Sequence, residues 1–208
     1  MKISFVPILL FSCFIYSQVP KVSSGKIENF ENFKSSFVDA RNIDVWLPDN
    51  YSTAEKYAVI YMHDGQMLFD PNITWNKQAW KVDEIAGKLI AEGKTQKFIV
   101  VAIWNNGQKR HPEFYPQKAF KILTEKERKF ISDVFLKRNK IAETFSPISD
   151  NYLKFIVKEL KPFIDKTFST KKDKNNTFIA GSSMGLSLIH ISEPTRQAEI
   201  SYAVFCLK

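Results

Sequence analysis

The chain has 208 residues, 44% of them hydrophobic and 25% charged, with 7 Gly and 9 Pro. This composition excludes collagen-like, low-complexity and largely disordered classes, because apolar content this high offsets the entropy of ordering a chain. Lys+Arg number 30 against 22 Asp+Glu, a formal charge of +8, but the basic residues are scattered, and the densest group, Lys171-Lys172-Asp173-Lys174 before Asn175-Asn176, reads as a solvated turn. No nucleic-acid partner is expected.

Met1-Lys2, the apolar run Ile3 to Tyr16 and the small Ser17 before Gln18 read as an export signal over residues 1–17. The run is too short to span a bilayer, which takes about 20 apolar residues. Leu10-Phe11-Ser12-Cys13 is a poor lipid-attachment box, since Phe11 is bulky and Phe14-Ile15 stay apolar. The expectation is an exported chain, periplasmic or extracellular, with no stable membrane anchor. Cys13 and Cys206 lie in the two ends, so residues 18–185 carry no disulfide, thiolate nucleophile or Cys-based zinc site.

No repeat and no Gly/Ser- or Pro-rich linker divides residues 18–185, which read as one domain. Within Phe37 to Leu47 the alternation Arg41-Asn42-Ile43-Asp44-Val45-Trp46-Leu47 suits a half-buried strand, ended by Pro48-Asp49-Asn50. Tyr57 to Met62, Lys97 to Trp104 and Thr177 to Ala180 are short apolar runs that fit strands covered on both faces. Trp80 to Ile90 predicts a helix with Trp80, Ile85, Leu89 and Ile90 near one face, and Lys81, Asp83, Glu84 and Lys88 largely outside it. Asp150 is a candidate N-cap for a helix through Asn151 to Leu160, with Leu153, Ile156, Val157 and Leu160 as its apolar stripe. The charged, weakly periodic stretch 121–149 reads as a lid or insert, or equally as a plain pair of surface helices. Strands alternating with helices predict an α/β class: a mostly parallel sheet with helices on both faces.

Gly181-Ser182-Ser183-Met184-Gly185 matches G-x-S-x-G directly after an apolar strand. That pattern marks a strained strand-to-helix turn that raises a serine hydroxyl above the carboxyl edge of a sheet, with Ser183 as candidate nucleophile. Glycines flank it because a Cβ there would meet neighbouring backbone. In acyl transfer, two fixed backbone N–H groups stabilise the oxyanion, and one of them belongs to the residue after the nucleophile, Met184.

With these residues in view, the chain resembles the α/β-hydrolase superfamily, and within it the esterases related to esterase D, enterochelin esterase and feruloyl esterases. Three segments carry the resemblance: Tyr61-Met62-His63-Asp64-Gly65-Gln66-Met67-Leu68-Phe69; Asn105-Asn106-Gly107 with Arg110 and Glu113-Phe114-Tyr115-Pro116; and Tyr152 to Asp165 followed by Gly181 to Gly185. It implies that the second oxyanion donor is the backbone N–H of Gln66, with Gly65 allowing close approach. It also implies that His63 and Asp64 are not the catalytic base and acid, because those partners follow the serine in the chain. His63 then reads as a hydrogen-bonded residue that shapes the loop.

Among the remaining candidates, His111 beside Pro112 reads as exposed, and Arg110 with Glu113 as an ion pair fixing its loop. Trp75 and Trp80 could line an acyl or aryl pocket, or belong to the core. Asp70, Asp83 and Glu84 show no metal-ligand spacing, and no cofactor is implied.

The triad order of this fold is Ser, then Asp or Glu, then His, yet only His190 and Glu193 follow Ser183. Ser187 to Arg196 and Ile200 to Lys208 closely resemble the conceptual translation of a sequencing adapter, and Pro194 interrupts the helix expected after Gly185. Residues 186–208 are therefore expected to be non-native, the fold incomplete after the elbow, and the triad acid and His absent. The reading is a serine-dependent carboxylic ester hydrolase in intact form, acting on a small-molecule or carbohydrate-linked ester, with this chain an inactive truncation. An acyltransferase of the same fold and a non-catalytic binding protein on a hydrolase scaffold are the alternatives.

Overall fold

The structure, a computed structural model, describes residues 19–139 and 145–192; the expected export signal and everything after Ser192 lie outside them. Among the described residues, five strands form one sheet in the order β1-β2-β4-β3-β5. They are β1 Lys26–Phe33, β2 Arg41–Leu47, β3 Ala58–His63, β4 Phe98–Ile103 and β5 Thr177–Ala180. β3 is parallel to both β4 and β5, while β1–β2 and β2–β4 are antiparallel. The three apolar runs read from the sequence become the parallel half of the sheet, and two antiparallel strands widen it on one side.

Side chains alternate between two cores because successive residues of a strand point to opposite faces. On one face Val59, Tyr61, Val101 and Ile103 pack with Tyr152, Phe155, Leu160 and Ile164. On the other, Met62, Val100, Ala102 and Ala180 pack with Leu68, Phe69, Val82 and Ala86. The helix α1, Val82–Ala91, covers the second face. The short helices α2 Arg110–Phe114 and α3 Gln117–Ile122 and the longer α4 Glu125–Asn139 follow β4. α5 Ser149–Phe155, a π-helical turn at Ile156–Leu160 and α6 Lys161–Thr167 cover the first face, and α7 Met184–Ser192 follows β5.

Three local expectations are corrected. The edge strand β1 is absent from the sequence reading because its phenylalanines are three apart. Register slips between Phe30 and Phe33, and Asn32 takes φ 49; the bulge brings both rings edge-on to Phe163, at 5.0 and 5.1 Å. In α1 the buried residues are Val82, Asp83 and Ala86, whereas Ile85 is 42% exposed. The helix is rotated because Asp83 Oδ2 accepts the Ser23 N–H at 2.7 Å and its hydroxyl at 3.1 Å, and that capture holds the N-terminal segment against α1.

In α5 the N-cap is Ile148, with no side-chain cap, in place of Asp150. Val157 is 63% exposed while Tyr152, Phe155, Ile156 and Leu160 are buried. The π turn inserts one residue into the helical repeat and turns the apolar stripe away from Val157. α4 lies within the segment 121–149 and is followed by Phe145, whose ring stacks on Phe135 at 4.2 Å. The helix expected after Gly185 is α7, which runs to Ser192 with Leu188 and Ile189 buried; Pro194 lies outside the described residues.

Candidate functional site

Met62 of β3 stands opposite Ala180 of β5 in the parallel register. The chains leaving these strands, at Asp64 and at Gly181, therefore emerge side by side at the carboxyl edge of the sheet, where open α/β sheets place their sites.

The elbow after β5 is built around a conformational strain. Ser183 has φ 56, a left-handed backbone that costs a residue bearing a Cβ roughly 1–2 kcal/mol. The flanking glycines make the turn fit. A Cβ on Gly181 would lie 3.0 Å from both the Gly185 carbonyl carbon and His63 Cδ2, and one on Gly185 would lie 3.3 Å from His63 Cβ. Gly185 N–H donates to the Ser182 carbonyl at 3.0 Å and Leu186 N–H to the Ser183 carbonyl at 3.1 Å, closing the first turn of α7. Ser183 is exposed, and the Met184 N–H has no backbone acceptor among the described residues.

The facing turn is a single 3₁₀ turn, Gly65–Met67. Met67 N–H donates to the Asp64 carbonyl at 2.8 Å and Leu68 N–H to the Gly65 carbonyl at 3.3 Å, leaving the Gln66 N–H without a backbone acceptor among the described residues. The turn is wedged against β4: a Cβ on Gly65 would sit 2.6 Å from the Ala102 carbonyl carbon. Asp64 is also left-handed, φ 58 and ψ 44. Its carboxylate takes two bonds from Arg110, both 2.7 Å, and one from Asn105 Nδ2 at 2.7 Å. Met184 and Gln66, the two residues singled out for oxyanion stabilisation, thus lie on neighbouring turns with unengaged N–H groups.

His63, the last residue of β3, is fully buried beneath the elbow. Its Nδ1 is 2.9 Å from the Tyr152 hydroxyl, and its Nε2 has no partner among the described residues. Burial pushes the imidazole down to about 4, with Asp64 opposing and Arg110 reinforcing the shift. It is neutral at pH 7, shapes the floor of the elbow through its ring, and makes no hydrogen bond to Ser183 among the described residues. Burial likewise pushes the Tyr152 phenol well up, so the pair is uncharged.

The ion pair expected between Arg110 and Glu113 does not form. Glu113 is fully buried and is met by Arg41 from β2, with bonds of 2.8 and 2.6 Å, while Arg110 turns to Asp64. A buried carboxylate is tolerated only beside a matched cation, and Arg41, whose guanidinium lies 5.2 and 5.3 Å from the Tyr152 and Phe155 ring centroids, supplies it. His111 is half-buried, not exposed, 5.1 Å from the Phe135 ring. Trp75 is 86% exposed and Trp80 packs against the second core. Asp70 accepts the Lys21 N–H at 3.0 Å and, with Asp83, holds the N-terminal segment, whereas Glu84 is exposed. Among the described residues no cluster of three or more His, Cys, Asp or Glu could hold a metal, and no helix is long and apolar enough to cross a membrane. Tyr152, Arg41 and the contacts of Asn105 were missed by sequence reasoning. A charged residue opening the strand Arg41 to Leu47 was the available hint for Arg41.

The Esterase family model matches residues 35–189. A relative, the endo-1,4-beta-xylanase/feruloyl esterase of Xylanibacter ruminicola, is 26% identical over 181 residues, 82% of this chain and 20% of its own length. The solved siderophore hydrolase from Aspergillus nidulans aligns at 16% identity with a TM-score of 0.58, covering 88% of this chain and 57% of that one. A ferulic acid esterase from Anaeromyces mucronatus, solved with ferulic acid, aligns at 17% identity with a TM-score of 0.51, covering 83% and 54%. The fold is that of the α/β-hydrolase esterases, and the chain spans about half the length of these solved structures.

Proposed function

The chain belongs to the Esterase family, and on that premise we propose that the whole protein is a serine-dependent carboxylic ester hydrolase using Ser183. Ser183 Oγ attacks the ester carbonyl carbon while a general base takes its proton, and the carbonyl oxygen becomes an oxyanion between the N–H groups of Met184 and Gln66. Collapse expels the alcohol, which takes up the proton, and leaves an acyl-serine. Water then attacks that ester, and the carboxylic acid departs.

The observation that carries this reading is the left-handed Ser183 beside a turn whose Gln66 N–H, like that of Met184, is unengaged. The base and its acid are proposed to lie past Gly185 in the native reading frame. His63 is buried on Tyr152, and His190 is only seven residues along the helix that leaves the elbow. The chain as written, with residues 186–208 in place of that continuation, is accordingly proposed to be inactive. Feruloyl esters are the first substrate class to test, given the relatives named above. Export is proposed from Met1 to Ser17, with Gln18 as the mature N-terminus read by Edman sequencing.

The test is expression of the reading frame re-sequenced beyond Gly185, assayed on p-nitrophenyl acetate and methyl ferulate. A fluorophosphonate probe is expected to label Ser183, and Ser183→Ala to remove labelling and lower turnover by about a thousandfold or more. Labelling that persists in Ser183→Ala sinks the nucleophile, and a native frame that reads Leu186 to Lys208 and stops sinks the truncation.

A further inference from the structure

A backbone N–H stabilises an oxyanion well only if its peptide is fixed in direction before the charge develops. Around Ser183 the fixing is steric, through Gly181 and Gly185 on the His63 ring. Around Gln66 it comes from the loop after β4. Arg110 grips both oxygens of Asp64 and Asn105 Nδ2 donates to Oδ1. Asn105 Oδ1 accepts the Gly107 N–H at 3.0 Å, which sets that amide's orientation. The Asn105 backbone N–H donates to Gln66 Oε1 at 3.1 Å, so the Gln66 side chain is drawn back onto the β4 loop. Arg110 is itself held in direction, with its guanidinium 5.1 Å from the Phe114 ring centroid, a geometry that a lysine cannot reproduce.

We propose that Asn105 and Arg110 are positioning residues for the oxyanion donor at Gln66, acting through Asp64 and through the Gln66 side-chain amide. The inference rests on the reading of Ser183 and Gln66 given above. It separates two roles the same residues could have: a clamp that merely holds the loop would alter stability alone, whereas one that aims a transition-state donor alters kcat.

The experiment uses the protein read from its native frame past Gly185, with p-nitrophenyl acetate as substrate. Asn105→Ala and Arg110→Lys are each expected to lower kcat about 10- to 100-fold while KM stays within about twofold. The inflections of the pH–rate profile should stay in place, because the base is untouched. Gln66→Ala, at a half-buried position that keeps the fold if the other two do not, is expected to lose kcat similarly, and combining it with Asn105→Ala to be less than multiplicative. A kcat within about twofold of the parent in Gln66→Ala and in whichever clamp variants fold, or a loss expressed as a higher KM, overturns the proposal. A parent whose turnover survives Ser183→Ala overturns the underlying reading of the nucleophile instead.

Discussion

The elbow at Gly181 to Gly185 and the turn at Asp64 to Met67 leave the same sheet edge and both close on glycines, but only the second is also held by a polar clamp. The elbow is steric: two glycines let the backbone close over the His63 ring and force Ser183 into a left-handed conformation. The other turn is polar: a left-handed Asp64 is held by Arg110 and Asn105, more than forty positions away in the chain. The elbow depends on the His63 ring beneath it, whereas the polar clamp depends on the side chains of a second loop. The first should answer to the size of its glycines and of the His63 ring, the second to hydrogen bonding and charge at Asn105 and Arg110.

Substitutions can break this contrast. The largest effect is expected at Gly65→Ala, whose Cβ would meet the Ala102 carbonyl carbon at 2.6 Å and its oxygen at 2.8 Å. Backbone atoms of a central strand cannot yield, so denaturant titration should show a loss of about 3 kcal/mol or more. Parent-like stability would mean that the turn is not wedged on β4.

Next comes pH. His63 falls from 6.5 to about 4 on folding, so across that window the unfolded chain binds a proton that the folded chain does not. Stability present above the unfolded value is lost as pH drops toward the folded one, by about 3 kcal/mol in all. Unfolding curves collected down this range should steepen for the parent and flatten for His63→Gln; matching curves would show that the floor of the elbow is not a neutral histidine.

Tyr152→Phe removes the hydroxyl 2.9 Å from His63 Nδ1 and leaves both ring nitrogens buried without partners. A loss of about 2 kcal/mol is expected by thermal melting; no loss would show that water replaces the hydroxyl. The smallest effect belongs to Gly185→Ala. Its Cβ would lie 3.3 Å from His63 Cβ, so His63 must give by a few tenths of an ångström, while alanine gains about 1 kcal/mol of helix propensity over glycine at the start of α7. Stability is expected to stay within about 1 kcal/mol of the parent. A larger fall would mean that the elbow is tighter than its partner turn.

The parallel strands and the elbow were legible because each is a local pattern: a short apolar run, or five residues of fixed type. The elements misread were those where something distant overrides the local pattern. Ile85 faces outward and Asp83 inward because Asp83 Oδ2 accepts from Ser23, 60 positions earlier. Val157 leaves the core because the π turn at Ile156–Leu160 breaks the period of 3.6 on which the stripe was counted. Arg110 and Glu113, three apart, part company because each meets a partner from elsewhere in the fold, Asp64 in the turn after β3 and Arg41 in β2.

The sequence by itself determined the α/β class, the strands β2 to β5, and the nucleophile candidate, since hydrophobic periodicity and glycine sterics act between neighbours in the chain. The edge strand β1, the antiparallel pairing of β2, the burial of His63 on Tyr152 and the clamp on Asp64 were decided only by tertiary structure. Buried charges and polar groups must find partners wherever the fold brings them, and spacing along the chain does not specify where that is.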